Sequence, residues 1–407
     1  MSSPRTVVPP RPQITSHMYS LPVRRLKEIL SHVVPTANLG PVEEISSTQL
    51  PRLYQLNMSD DRKLLLSFAP SLMTRLLRQE AAIISSEATL VHFIAGTERT
   101  LERAVSPCSE IDTPGSKTVS NLIPKILKSS SNNRELAYPY TISEPTGGVP
   151  LSTLSVYLSI PERREIDKQI GSMARALASL TSPTGTFGTV SHVLPDPYGK
   201  NSGPQAALPS PPVGCKKWSE AFNLLLEGIL RDGEDVLVLL PYAIIRAHCR
   251  RLSWHLDAVT IPRLVVLDVS SERNVMVERG GEDCASYSGK EIKMTGLRSW
   301  SLGAFGDPLI ADAFDKPSEG FLEGWNGGGE SVVEDEKNVG IRLLLYRVFS
   351  AAVSIVTEHY RPQIDSSRKE LDGRRKLTSV LAELEKVDLI PCDVLKRGRR
   401  PSGEEMV

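Results

Sequence analysis

The sequence predicts an α+β protein of two lobes, with a small β-rich N-terminal half and a larger, mainly helical C-terminal half. Three observations lead to this fold class. Short strand-like segments follow one another between residues 42 and 68. A Pro- and Gly-rich cluster at 145–150 then interrupts the chain, and stretches with helical spacing dominate after it. We therefore expect a cleft between the two lobes.

The elements of the N-terminal half follow from local patterns. The residues Asn57–Asp61 supply hairpin-turn chemistry between two strand-like runs, and Pro70 closes the second of them. Apolar residues recur at helical spacing after Pro70. The predicted order is a helix at Leu21–Val33, strands at 43–46, 52–56 and 63–68, a helix at 71–96, and extended segments at 122–127 and 136–143.

The C-terminal half alternates amphipathic helices with short strands. Two long loops are predicted in this half. The first, Pro195–Gly214, is rich in Pro, Gly and Ser, and the second, Gly320–Gly329, is rich in Gly. The predicted elements are helices at 161–180, 218–230, 241–256, 340–360 and 374–387, and strands at 264–268, 274–277 and 292–297. The resulting domain bounds are a tail at 1–19, an N-lobe at 20–145, a C-lobe at 146–392 and a tail at 393–407.

Composition excludes several classes of protein. The 407 residues carry 48 Lys and Arg against 48 Asp and Glu, which argues against an open basic face for nucleic acid. The five cysteines are dispersed, as expected for reduced thiols inside a cell. The first residues lack the apolar core of a signal peptide, and the apolar run Leu343–Val356 contains Arg347. We expect a soluble cytoplasmic protein that binds neither nucleic acid nor membrane.

Common catalytic motifs are missing from the sequence. It contains no phosphate-binding P-loop, no G-x-G-x-x-G, no H-E-x-x-H and no G-x-S-x-G. Its seven histidines do not cluster with cysteine at the spacing of metal ligands.

A series of short motifs, most of them in the C-terminal half, nevertheless resembles the aminoglycoside phosphotransferase family, in particular its fungal branch. The resemblance spans roughly residues 40–360, and its motifs stand in the family's order. They are the segments 64–66, 69–70, 75–78 with Glu87, 239–242, 256–268, 274–277, 295–297, 306–309 and 342–346. The resemblance implies a two-lobed protein-kinase-like fold that transfers the γ-phosphoryl group of ATP to a hydroxyl of a small molecule.

The resemblance also implies roles for individual residues. Asp268 matches the catalytic base, Asn274 a metal ligand, and Glu87 the helix glutamate that fixes the phosphate-binding lysine. The interval from Asp268 to Asn274 is one residue longer than in the family, which alters the metal geometry that the two would share. Trp300 and Asp307 are further candidates for lining the cleft.

Two family positions hold serine. Ser67 stands where the family has the phosphate-binding lysine, with Lys63 as the nearest alternative at the start of the strand. Ser299 stands where the family has the Mg²⁺-binding aspartate. The segment 45–51 contains no glycine and so no glycine-rich phosphate loop. A serine hydroxyl neither neutralises a phosphate nor replaces a carboxylate on Mg²⁺.

Three functions are compatible with this pattern. The first is a degenerate family member, a pseudokinase, whose cleft binds or acts on a small metabolite without ordinary ATP-dependent transfer, with Asp268 as candidate base. A role in secondary metabolism follows only from the resemblance. The second is an active small-molecule kinase, and only this one requires ATP and Mg²⁺. The third is a non-catalytic scaffold protein.

Overall fold

The computed structural model describes residues 21–45, 49–104, 119–132, 134–198, 214–280 and 292–387. Both predicted tails, and most of the predicted loop at 195–214, lie outside these residues. The described parts have a sheet-rich N-terminal region and a helical C-terminal region, as the sequence predicts.

A five-stranded antiparallel sheet forms the N-terminal region. Its spatial order is first, second, third, fifth and fourth strand. The third strand has the predicted bounds, whereas the last two begin at Ile126 and Tyr140, after their predicted starts at Leu122 and Leu136. The strands are β1 (Leu39–Ile45), β2 (Arg52–Met58), β3 (Lys63–Phe68), β4 (Ile126–Ser130) and β5 (Tyr140–Ser143).

One face of this sheet is covered by the first helix, α1 (Val23–Val33). Leu26 and Leu30 of α1 pack in one apolar cluster with Leu64 and Leu66 of β3. Since side chains alternate along a strand, Ser67 lies on the opposite face of the sheet, where it is half-buried.

The second helix, α2 (Ile83–Ala104), begins well after the predicted start at residue 71. The preceding residues make side-chain contacts in place of helical hydrogen bonds. The backbone N–H of Leu77 donates to Glu80 Oε2 at 2.8 Å, and that of Arg78 donates to Asp232 Oδ2 at 2.9 Å. Helical spacing of apolar residues alone does not reveal this competition for backbone donors.

Helices and short strands make up the C-terminal region. The predicted boundary at residue 145 falls between β5 and the next strand. The strands are β6 (Val149–Pro150), β7 (Gly188–Thr189), β8 (Arg263–Val266), β9 (Val275–Arg279), β10 (Ile292–Leu297) and β11 (Gly303–Gly306). The helices are α3 (Leu151–Leu154), α4 (Ile160–Ser179), α5 (Val190–Val193), α6 (Trp218–Asp235), α7 (Tyr242–Leu256), α8 (Glu319–Asn326), α9 (Val339–Tyr360) and α10 (Ser366–Glu385).

Two small sheets position the residues of the candidate site. One has the order β10-β9-β6 and the other β7-β11-β8, with all pairs antiparallel. Asp268 follows the end of β8 by two residues, so it lies in a turn and not at the predicted strand end. Asn274 directly precedes β9, and Ser299 follows β10.

The predicted Gly-rich loop at 320–329 is wrong in its first part, because α8 occupies Glu319–Asn326. The Ser318 hydroxyl caps this helix by accepting from the Phe321 N–H at 3.1 Å. A Cβ atom at Gly320 or Gly324 would lie 2.5 or 2.0 Å from a carbonyl oxygen of α4. These glycines therefore permit close packing of two helices, which outweighs the low helix propensity of glycine.

The most apolar helix of the described chain is α9. The segment Glu336–Tyr360 is long and apolar enough to cross a membrane by length and composition, and half of its most apolar window is buried. In the fold it packs against α6, α7 and α10. Its Arg347 contacts Asp315 at 3.2 Å. The helix is thus part of the helical core of the C-terminal region.

Candidate functional site

A cavity of about 760 Å³ lies between the two regions, and we call it the cleft. It is bordered by the connection between β1 and β2, the segment before α2, the turn after β8 and the ends of α9 and α10. Of the predicted site residues, Asp268, Asn274 and Ser299 line it. A second cavity of about 610 Å³ shares Ser301 and Leu302 with the cleft as common wall residues.

Asp268 combines access to the cleft with an unsatisfied carboxyl oxygen. The residue is half-buried, but its Oδ1 is inaccessible and has no hydrogen-bond partner among the described residues. Burial, together with the nearby charges of Asp312 and Glu87, raises the pKa of Asp268 to about 7. At neutral pH this carboxyl is therefore ready either to accept or to release a proton.

Asp312 holds the turn that carries Asp268. Its Oδ1 accepts from the Ser270 N–H at 3.0 Å, and its own N–H donates to the Leu267 carbonyl at 2.8 Å. Burial raises the pKa of Asp312 to about 6. The sequence argument missed this residue, since nothing in the local pattern connects it with a turn more than forty positions earlier.

The Asn274 amide joins the same turn to the segment after β10. Its Oδ1 accepts from the Ser299 N–H at 2.8 Å, while its Nδ2 donates to the Ser299 carbonyl at 3.1 Å. The side chain is buried. The Ser299 hydroxyl donates to Ser301 Oγ at 2.9 Å. Both residues thus make contacts that hold two backbone segments together.

These residues do not fit the Mg²⁺ ion that the family resemblance implies. Mg²⁺ prefers carboxylate oxygens, whereas Ser299 offers a hydroxyl and the Asn274 oxygen already accepts a backbone N–H. Across the part of the chain that the structure describes, no group of three or more His, Cys, Asp or Glu side chains is arranged to hold a metal ion.

Within the described residues, no basic side chain pairs with Glu87. Its Oε1 accepts from the Trp300 backbone N–H at 3.0 Å. Burial raises the pKa of Glu87 to about 7. Lys63 is exposed at the start of β3, and Ser67 is half-buried further along the same strand. Glu87 therefore connects α2 to the segment after β10 without a lysine–glutamate pair.

Trp300 and Asp307 do not line the cleft, contrary to the sequence-based expectation. Trp300 is fully buried in the main apolar cluster, and Asp307 is 1% exposed. Asp307 accepts from Tyr346 Oη at 2.8 Å and from the Leu309 N–H at 3.1 Å. Trp300 precedes β11 and Asp307 follows it, and both are core positions because β11 contacts α2 and the turn after Asp307 contacts α9.

Ion pairs fasten the segment before α2 to the C-terminal region. Both oxygens of Glu80 accept from the guanidinium of Arg361 at the end of α9, each at 2.7 Å. Arg78 contacts Asp232 and, at 2.8 Å, Asp235 of α6. The Glu80–Arg361 pair connects two segments of the cleft wall, and the Arg78 pairs connect the same N-terminal segment to α6.

The strand order, the helix α2 against the sheet and the cleft above the turn of Asp268 define the protein-kinase-like fold. Solved structures of this class cover most of the chain. A protein assigned as a fructosamine-3-kinase, from Haemophilus somnus 129PT, matches with a TM-score of 0.52 and 12% identity, over 87% of this chain and 97% of its own.

Two further matches point to the same class. A protein assigned as an aminoglycoside phosphotransferase, from Ralstonia eutropha JMP134, has a TM-score of 0.53 and 10% identity, with coverage of 90% and 99%. The GDP and kanamycin complex of APH(2")-IIia has a TM-score of 0.50 and 14% identity, with coverage of 88% and 98%. No family model and no curated protein sequence matches the chain. The predicted two-lobed kinase-like fold is confirmed.

Proposed function

We propose that this protein binds a small metabolite in the cleft and acts on it through Asp268, without ordinary ATP-dependent phosphoryl transfer. The observation that carries this proposal is the position of Asp268 in the lining of the cleft, where its pKa is raised to about 7. The cleft volume lies in the range of small-molecule sites. The term pseudokinase and a role in secondary metabolism belong to the same proposal.

Asp268 is suited to moving a proton within a bound molecule. A base is most effective when its pKa lies near the working pH, and this carboxyl meets that condition. It would take a proton from a C–H or O–H of the ligand and return it to another ligand atom, as in an isomerisation or a cyclisation. The bonds from Asp312 to the turn would hold Asp268 in place during both steps.

A second candidate is an active small-molecule kinase, which the kinase-like neighbours favour. A kinase would need a cation that binds the phosphates, and it would need carboxylates that bind Mg²⁺. Lys63, at the far end of β3, and Asp268 itself would have to provide them. Transfer to a small-molecule hydroxyl is thus the alternative that the experiments must distinguish.

Thermal unfolding with ATP, in the presence and absence of Mg²⁺, separates the two candidates. A ligand at about 100 times its Kd adds about 2.7 kcal/mol of stability, enough to raise the Tm measurably in a chain of this size. We expect no Mg²⁺-dependent rise for the natural chain. A reproducible Mg²⁺-dependent rise would overturn the proposal and favour the kinase.

Two further samples sharpen this experiment. The double variant Ser67→Lys, Ser299→Asp restores the family's residues at both positions, and a Mg²⁺-dependent rise in this variant alone would attribute the difference to them. The natural chain and Asp268→Asn are also incubated with a small-metabolite extract, which is then analysed by mass spectrometry. A metabolite converted by the natural chain and not by the variant supports Asp268 as the base, and equal profiles contradict this role.

A further inference from the structure

Four basic side chains line the cleft beside Asp268, and two of them are neutralised. Arg361 pairs with Glu80 through two contacts of 2.7 Å. Lys369 pairs with Asp365 at 2.9 Å and lies 3.9 Å from Glu358. These two cations serve the packing of the cleft wall.

Arg75 and Arg273 differ from them. Both are exposed and line the cleft, and in the described residues neither guanidinium has a hydrogen bond or an ion pair. The acid next to Arg273 in sequence, Glu272, is already paired with Arg163. The backbone of Arg75 is fixed, because its carbonyl accepts from Arg361 Nη1 at 2.8 Å. Both arginines therefore line the cleft with a guanidinium group that has no anionic partner among the described residues.

From this arrangement we infer that the ligand of the cleft is an anion, a small metabolite with a carboxylate or phosphate group held between Arg75 and Arg273 while Asp268 faces its reacting atoms. This inference rests on the proposed function. Arginine presents a planar set of donors that matches the oxygens of either group, and charge-assisted hydrogen bonds of this kind are strong. Asp268 is the remaining unpaired acid among the residues that line the cleft.

The location of the two arginines explains how one ligand would reach both. Arg75 belongs to the segment before α2, in the N-terminal region, and Arg273 to the turn after β8, one residue before Asn274. Arg273 is exposed, whereas its neighbour Asn274 is buried.

Protection from phenylglyoxal, a reagent for free guanidinium groups, tests this inference on the full chain. The probes are pyrophosphate and citrate at constant ionic strength, with mass spectrometry to measure the modification rate of each arginine. We expect at least one probe to slow modification of Arg75 and Arg273 by about tenfold. Arg250, which is exposed and unpaired on α7, is the internal control and should keep its rate. Comparing the two probes distinguishes a phosphate from a carboxylate site.

The variants Arg273→Gln and Arg250→Gln form a matched pair. Arg273→Gln should abolish the protection of Arg75, since one anion bridges both, whereas Arg250→Gln should leave it unchanged. Rates at Arg75 and Arg273 that neither probe alters, or protection of Arg75 that persists in Arg273→Gln, would overturn the inference. Stabilisation by the polycation spermine and by neither anion would overturn it as well. A Mg²⁺-dependent effect of ATP would instead contradict the proposed function and leave the arginine site standing.

Discussion

Two aspartates of the C-terminal region, Asp307 and Asp268, are both withdrawn from water but have opposite surroundings. Asp307 has the Arg342 Nε at 2.8 Å as an ion contact, the Tyr346 hydroxyl and a backbone N–H. No cation lowers the pKa of Asp268, and its Oδ1 has no hydrogen-bond partner among the described residues. This fold thus supplies a counter-ion to Asp307, whose carboxylate supports packing. It supplies none to Asp268, whose carboxyl lies at the cleft.

The Asp307 region is built from several mutually supporting contacts. Arg342 is fully buried, and besides Asp307 it donates to the carbonyls of Asp335 and Glu334. Tyr346 also accepts from the indole of Trp218 at 2.7 Å. Removal of one member leaves the others desolvated without a partner, which is the costly case for a buried ion pair.

The largest effect is therefore expected from Arg342→Met, which removes the counter-ion of Asp307 at similar volume. We expect the free energy of unfolding to fall by about 3–5 kcal/mol. Urea denaturation at neutral pH measures this change. A loss below about 1 kcal/mol would show that the buried pair behaves like a surface contact and would remove the basis of the comparison.

Asp268→Asn should instead raise the free energy of unfolding. The folded protein holds the Asp268 proton up to about pH 7, whereas the unfolded chain releases it near its ordinary pKa of 3.8. Stability of the natural chain therefore decreases as the pH rises through this interval. The asparagine variant escapes this loss, so we expect it to be more stable by about 1–3 kcal/mol at about pH 8, and by much less at about pH 4.5. Equal gains at both pH values would contradict the raised pKa.

A smaller effect should connect Glu87 with Asp268. The Glu87 charge contributes to the raised pKa of Asp268, so the benefit of removing one charge depends on the other. In Glu87→Gln the side-chain oxygen still accepts from the Trp300 N–H. A double-mutant cycle with Asp268→Asn at about pH 8 should give a coupling of about 0.5–1 kcal/mol. If the effects of the two substitutions on the free energy of unfolding were strictly additive, Glu87 and Asp268 would not interact, and this prediction would be wrong.

The smallest change is expected from Arg347→Met, five positions beyond Arg342 on the same helix. Arg347 contacts Asp315 at 3.2 Å, but both side chains are about one-third exposed. Ion pairs at such positions contribute about 0–1 kcal/mol. Urea denaturation of Arg347→Met therefore shows how much stability is lost when an arginine is replaced elsewhere on α9. A loss as large as that of Arg342→Met would show that α9 is sensitive to any substitution.

Alternation and helical spacing sufficed to predict much of the fold. The pattern Lys63–Phe68 gives β3 its predicted bounds, and the apolar periodicity after residue 340 gives α9. Both depend on neighbours within one element, which a sequence displays directly. Short motifs in a fixed order then predicted the kinase-like class.

Contacts between distant segments escaped prediction. Gly320 and Gly324 appear loop-like in sequence, and only the approach of α4 explains their place in a helix. Asp312 contacts a turn that is distant in sequence. The sequence also does not show that Glu80 pairs with Arg361 and not with Arg75. Asp268 lines the cleft, and its surroundings could be described only from coordinates.

The ion pair of Glu80 with Arg361 has a kinetic consequence. Because it connects two segments of the cleft wall, we expect little conformational entropy to be lost when a ligand binds. Association should then proceed without a slow closing step, and differences in affinity among related ligands should arise mainly from their dissociation rates. Amide hydrogen exchange should also be slow at Leu77 and Arg78, because their N–H groups donate to Glu80 and Asp232.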